Sequence, residues 1–217
     1  MTLRELVDPA HTAIVTQELQ GAVVGPDAGL RALAVFGGVG INPQITAVRH
    51  GVDVVVVDRP TRAGVPETAV GDACVIRCRG TPAVIQTADC LPILLASTAS
   101  EDIAAIHAGW RSLAGGIIEA TLARLDGAGA AVHAWLGPAI GQGAFEVGPE
   151  VRAAFVDADA GAAGCFRPGR DDRWHADLYA LARRRLRALR VAQLSGGVWC
   201  TVASPERFHS CRRDGAA

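Results

Sequence analysis

The most constraining feature of this sequence is a series of short apolar runs, rich in Val, Ile and Ala and bounded by Gly, Pro or Asp. They are Val52 to Val57, Cys74 to Cys78, Ala83 to Thr87, Ile93 to Ala96, Ile103 to His107 and Val132 to Leu136. Each is strand-sized, and its apolar character is nearly continuous rather than alternating, which is the pattern of strands covered on both faces. A layered sheet core follows. Helical periodicity appears at Ala114 to Leu125, Pro149 to Val156 and Asp177 to Leu189, where apolar residues recur every third or fourth position. Asp177 is placed to cap the last of these, and Arg183, Arg184, Arg185 and Arg187 read as its solvated basic face. No repeat with a period of roughly 20 to 50 residues is visible. The 217 residues read as a single domain spanning 1–217, with residues 1–45 poorly patterned.

Charge narrows the partners. The 21 basic residues, all Arg, nearly balance 22 acidic ones for a net charge of −1, which speaks against broad affinity for nucleic acid or anionic membrane. No apolar run approaches the roughly 20 residues that span a bilayer. The segment Met1 to Asp8 lacks the pattern of a signal peptide. The expectation is a cytoplasmic protein that acts on small molecules. Its six cysteines (Cys74, Cys78, Cys90, Cys165, Cys200 and Cys211) include no CxxC pair and read as thiols or ligands rather than a disulfide framework.

Chemistry concentrates in two segments, Thr87-Ala88-Asp89-Cys90-Leu91-Pro92 and Ile106-His107-Ala108-Gly109-Trp110-Arg111. If strands ending at Thr87 and His107 are neighbours in one sheet, Cys90 and His107 meet at its rim, where rigid strands aim side chains into loops. Gly109 permits close backbone approach there. His50, in Arg49-His50-Gly51 ahead of another strand, is a third candidate. Two imidazoles and a thiolate supply three ligands to a tetrahedral metal and leave a fourth position open, the pattern of a catalytic rather than a structural zinc site; copper also accepts this set. Other readings stay open on the residues alone. A lone cysteine is often inert core, and Cys90 with His107 as its base would make a cysteine hydrolase or amidase. His133 reads as a core or edge histidine, and His175 and His209 as caps or supporting groups.

The strings TADCLPILLA, IAAIHAGWRSLAGGII, WLGPAIGQGAFEVGPEV, WHADLYALARRRL and CTVASPERFHSCRRDG, in that order over roughly residues 47 to 215, closely resemble the laccase-domain family. Its members are variously labelled multicopper polyphenol oxidase, peptidoglycan editing factor, and purine nucleoside phosphorylase with adenosine deaminase activity. The resemblance implies an α+β fold, a four-layer α/ββ/α sandwich with a mixed sheet. It implies that His50, Cys90 and His107 bind one zinc, and that the substrates are a nucleoside and phosphate: phosphorolysis of adenosine, inosine and methylthioadenosine, and hydrolytic deamination of adenosine. A zinc so held acidifies its bound water, which suits deamination. Asp89 is the nearest carboxylate to carry the proton, although a turn-forming role fits it equally. Arg111 is the candidate cation for phosphate, with Arg212 and Arg213 behind it. Phe145 and Glu146, in the AFEVG loop, are candidates to line a purine pocket, and Trp110 to shield the metal or stack a base. The competing activities are a Cys–His hydrolase editing peptidoglycan precursors and copper-dependent phenol oxidation, to which one mononuclear site is a poor match.

Four departures from the family pattern stand out. The arginine loop TRxGGVS has no counterpart beyond the glycines of Phe36-Gly37-Gly38-Val39-Gly40. Val48 and Arg49 precede His50 where the family has glutamine and valine. Ala182 and Arg185 stand at asparagine and glutamine positions, and family members continue past Ala217 through a TGR motif and a last strand. The losses lie on the substrate side, so the expectation is a divergent member that keeps its metal and has altered its substrate.

Overall fold

The computed structural model describes residues 33–35, 44–47, 49–59, 67–78, 83–127, 129–191 and 193–215. The apolar runs form two mixed sheets. The larger, in the order β13-β9-β7-β8-β5-β3, comprises β3 (Val54–Val57), β5 (Ala73–Ile76), β7 (Leu91–Ser97), β8 (Ile103–Ala108), β9 (Val132–Leu136) and β13 (Gln193–Gly196). Its central pairs β5–β8, β7–β8 and β7–β9 are antiparallel, and the outer pairs β3–β5 and β9–β13 are parallel. The second sheet joins β1 (Leu33–Val35), β6 (Ala83–Gln86), β2 (Gln44–Ala47) and β4 (Glu67–Val70), in the order β1-β6-β2-β4.

The pleat explains why the central strands are apolar on both faces. Successive side chains point to opposite sides. Cys74, Ile76, Leu94 and Ala105 pack with Ala83 and Ile85 of the second sheet. Their neighbours Ala73, Val75, Ile93, Leu95, Ala104 and Ile106 pack with helical residues such as Leu113, Ile117, Ile118, Leu181 and Leu186. Each fully buried Val, Leu or Ile among them is worth roughly 1.5–3 kcal/mol over exposure. The helical side holds α1 (Trp110–Gly115), α2 (Ile117–Leu122), α3 (Pro149–Val156) and α4 (Leu178–Ala188), and a short α5 (Cys211–Asp214) follows near the end of the chain. Three layers of the expected sandwich are thus present among the described residues: sheet, sheet and helices. Residues 1–32, and with them most of the poorly patterned start, lie outside the described residues.

Several local expectations change. The helix read at Ala114 to Leu125 is two helices broken at Gly116, whose φ of 95° closes α1 and starts α2. Only glycine adopts that conformation without steric cost. A small sheet of β10 (Glu146–Val147), β12 (Trp174–Ala176) and β11 (Phe166–Pro168) carries too few residues for any period to show. Asp177 caps α4 as expected, accepting from the Ala180 N–H at 2.9 Å. The arginines of α4 are more than a solvated face. Arg183 donates to the Gly196 carbonyl at 2.7 Å, Arg184 pairs with Asp159, and Arg185 reaches Glu119 at 2.7 Å and the Ala114 carbonyl at 3.0 Å. Arg185, one of the departures, therefore ties α4 to α1 and α2. No disulfide joins the six cysteines. Among the described residues no helix is long and apolar enough to cross a membrane.

Candidate metal centre

One rim of the larger sheet collects the segments that carry His50, Cys90 and His107. In the antiparallel pair β7–β8, Leu91 faces Ala108 and Pro92 faces His107, so Cys90, just before β7, arrives beside His107. The sequence expectation placed them together through the strand ending at Thr87. That strand, β6, belongs to the other sheet, and the juxtaposition comes instead from the strand that begins after Cys90. β5 runs antiparallel to β8, and β3 runs parallel to β5. The residues ahead of β5 and β3, Asp72 and the segment 49–51, therefore reach the same rim.

There His50, Cys90 and His107 each offer a ligand atom, and these atoms lie within 4.8 Å of one another. The two imidazole rings are 4.8 Å apart between centroids and nearly perpendicular, at 85°. His50 is exposed, Cys90 half-buried and His107 only 2% exposed, so the cluster opens to solvent on the His50 side. Gly109 backs it. A Cβ at this position would lie 3.0 Å from Cys90 Sγ, 3.2 Å from His50 Cδ2 and 3.4 Å from His107 Cε1. The absent side chain leaves the room that three converging donors need. The donor set itself, two imidazoles and a thiol, suits zinc or copper.

The electrostatics fit a cation better than the bare thiol. Burial, helped by the negative charge of Asp89 and Asp72, pushes the Cys90 thiol from 9.0 up to about 12. Burial and the neighbouring His50 pull His107 from 6.5 down to about 4, against the opposing pull of Asp72. A group that accumulates anionic neighbours around a protonated thiol gains when a dication deprotonates it.

The remaining sequence candidates frame this rim on two flanks. On one, Arg111 is exposed on α1 and its guanidinium lies 4.4 Å from the Trp110 ring centroid. On the other, Asp89 is buried in a left-handed conformation, with φ at 83°. Its carboxylate accepts from the Thr201 hydroxyl at 2.5 Å, the Ser210 hydroxyl at 3.0 Å and the Arg212 N–H at 2.7 Å. Its carbonyl accepts from the Ile140 N–H at 2.9 Å. Asp89 therefore ties the Cys90 loop to the segment that ends in α5. Arg212 also reaches the Ala144 and Glu146 carbonyls at 3.5 and 3.3 Å and lies 5.7 Å from the Phe145 ring. Phe145 is core, at 9% exposed, whereas the Glu146 side chain is exposed. The glycine loop at 36–40 lies outside the described residues.

Sequence reasoning missed Asp72. It is fully buried, and its carboxylate accepts from three successive backbone N–H groups: Arg49 at 3.1 Å, His50 at 2.6 Å and Gly51 at 2.7 Å. Its Oδ1 also lies 3.4 Å from His107 Nδ1. The available signal was a charged residue set directly ahead of the wholly apolar strand Ala73-Cys74-Val75-Ile76, a position where an aspartate is rarely buried without purpose.

Residues 31–217 match the family model described as "Multi-copper polyphenol oxidoreductase laccase". The chain belongs to this family. Relatives of the laccase-like chain include a Xylella fastidiosa protein named purine nucleoside phosphorylase, 46% identical over 168 residues that cover 76% of this chain and 65% of that protein. A Shigella flexneri relative, named purine nucleoside phosphorylase YfiH, is 46% identical over 66% of this chain and 58% of its own length. This chain thus spans about two thirds, or less, of the length of these relatives. Among solved structures, a Neisseria meningitidis protein superposes with a TM-score of 0.75 at 39% identity, covering 82% of this chain and 72% of that one. A Bacillus licheniformis protein at 22% identity shares the fold with a TM-score of 0.72, covering 80% of this chain and 70% of that one.

Proposed function

We propose that this chain is a zinc-dependent enzyme of purine nucleosides, with the metal held by His50, Cys90 and His107. The observation that carries the reading is the convergence of these three donors at an open rim, in a chain akin to proteins named purine nucleoside phosphorylase. A bound zinc with three protein ligands supplies Lewis acidity at an open coordination position. The chain's own residues then take separate roles. Gly109 keeps the donors close. Arg111, exposed on the Trp110 flank, offers a fixed cation to phosphate. Glu146 and Arg212, on the segments tied to Asp89, border the surface that Phe145 supports, where the purine would rest. Asp89, with its carboxylate taken up by three donors, holds the Cys90 loop rather than carrying a proton.

The shifts at the site disfavour a cysteine hydrolase. A thiolate–imidazolium dyad needs a lowered thiol and a raised imidazole, whereas Cys90 is pushed up to about 12 and His107 down to about 4. The test is metal analysis of the purified protein, followed by incubation with adenosine, inosine and methylthioadenosine with and without phosphate. Free base appearing only with phosphate reports phosphorolysis, and inosine formed from adenosine reports deamination. The absence of both products from zinc-loaded protein contradicts the proposal, and so does turnover that survives complete chelation.

A further inference from the structure

We propose that Asp72 is the positioning residue of this metal centre: one buried carboxylate sets two of the three ligands, His50 through its backbone and His107 through its ring. The inference rests on the metal reading above and adds to it the group that orients the ligands.

The backbone half is visible in the segment 49–51. His50 stands at φ 62°, a left-handed conformation that a non-glycine residue holds only when its surroundings impose it. Three consecutive N–H groups, of Arg49, His50 and Gly51, converge on the Asp72 carboxylate. Successive amides arranged around a left-handed residue form a concave anion site, and here the anion is a side chain of the same protein. Gly51 keeps the approach open, since a Cβ there would stand 3.3 Å from Asp72 Oδ2. His50 itself is exposed, so no core packing holds its ring in place. The Asp72 carboxylate is what holds its backbone.

The ring half follows from strand register. Ala73 faces Ile106 across β5 and β8, so Asp72 lies opposite His107, and its carbonyl accepts the His107 N–H at 2.7 Å. Its Oδ1 lies 3.4 Å from His107 Nδ1, a buried nitrogen that makes no hydrogen bond in this structure, so the carboxylate faces the ring without a closed bond. A proton on Nδ1 facing the carboxylate leaves Nε2 as a lone-pair donor, the arrangement in which outer carboxylates orient metal-binding imidazoles. Asp72 does not drift, because its own N–H is bonded to the Asp53 carbonyl at 2.8 Å. Two ligands from separate strands thus share one reference point.

The experiment uses the full chain, stripped of metal and reloaded with zinc alone. Nitrogen-15 NMR of the metal-free wild type reads the His107 tautomer and needs no variant; the expected form carries its proton on Nδ1. Zinc affinity is then measured by competition with a chromophoric chelator for wild type and for Asp72→Asn and Asp72→Ala, with thermal melts to confirm folding. Asparagine keeps the size but turns one accepting oxygen into a donor, so its zinc affinity should fall by roughly ten- to a hundredfold, with alanine weaker still. An Nε2-protonated His107 in the wild type, or a folded Asp72→Asn protein binding zinc within about threefold of wild type, overturns the positioning role. Wild-type protein that binds no zinc overturns the metal reading itself, an outcome distinct from unchanged affinity in the variant.

Discussion

Replacing Gly109 by alanine separates the metal centre from the fold. Gly109 has φ −63° and ψ 161°, an ordinary extended conformation that alanine adopts without strain. The substitution also reduces the freedom of the unfolded chain, a gain of up to about 1 kcal/mol that offsets the cost of moving the neighbours, so the metal-free protein should stay folded. The new methyl, however, would lie 3.0 Å from Cys90 Sγ and 3.2 Å from His50 Cδ2, against comfortable contacts of about 3.5–4.0 Å. The sulfur and the imidazole must then retreat by roughly half an ångström, while metal–ligand distances tolerate about 0.2 Å. A loss of about ten- to a hundredfold in zinc affinity follows, or about 1.4–2.8 kcal/mol. Competition titration against a chromophoric chelator reads the affinity, and the melting temperature of the metal-free protein serves as the control. A Gly109→Ala protein that melts like the wild type and binds zinc equally well would refute the claim that this glycine exists to make room for the ligands.

Other outcomes follow from the same geometry. His50→Ala should release the metal yet leave the metal-free melting temperature nearly unchanged, because His50 is exposed; a large drop in stability would make it a structural residue. Asp89→Ala leaves the buried Thr201 and Ser210 hydroxyls and the Arg212 N–H without their acceptor, which should cost about 3–5 kcal/mol in urea unfolding. Asparagine tolerates the left-handed backbone and should cost less; equal losses for both would contradict this account. His107 is held down to about 4 from 6.5, so below the unfolded value the unfolded chain takes up a proton that the folded one refuses. Metal-free protein should therefore lose stability as pH falls from about 6.5 towards about 4, by up to about 3 kcal/mol; a flat profile over that window would contradict the burial argument. With the Cys90 thiol pushed up to about 12, iodoacetamide labelling of the Cys90 peptide in chelated protein should be slow at neutral pH and keep rising with pH without levelling near 9. Rapid labelling near pH 7 would revive the hydrolase reading.

Much of the core was legible because its pattern is local. Val54 to Val57, Ala73 to Ile76 and Ile103 to Ala108 declare themselves as strands by continuous apolar character, and Asp177 announces α4 by its capping chemistry. The break at Gly116 was less legible, since a glycine inside an apolar stripe weakens a helix without always ending it. The small sheet β10-β12-β11 escaped because strands of two or three residues hold no measurable period. Arg185 looked like solvated charge because nothing in its neighbours along the chain announces the Ala114 carbonyl.

The chain's order of residues by itself determined the double-faced strands and the starts of α3 and α4, because strand burial and capping depend on residue type and short spacing, and its family resemblance named the three candidate metal ligands. Which strands become neighbours, and therefore that Cys90 reaches His107 through β7 rather than through β6, was decided only in three dimensions. The same holds for Asp72. A carboxylate that meets His50 22 positions away and His107 across a strand pair carries no local signature, since long-range pairing is selected by the packing of whole sheets rather than by any segment's own preference.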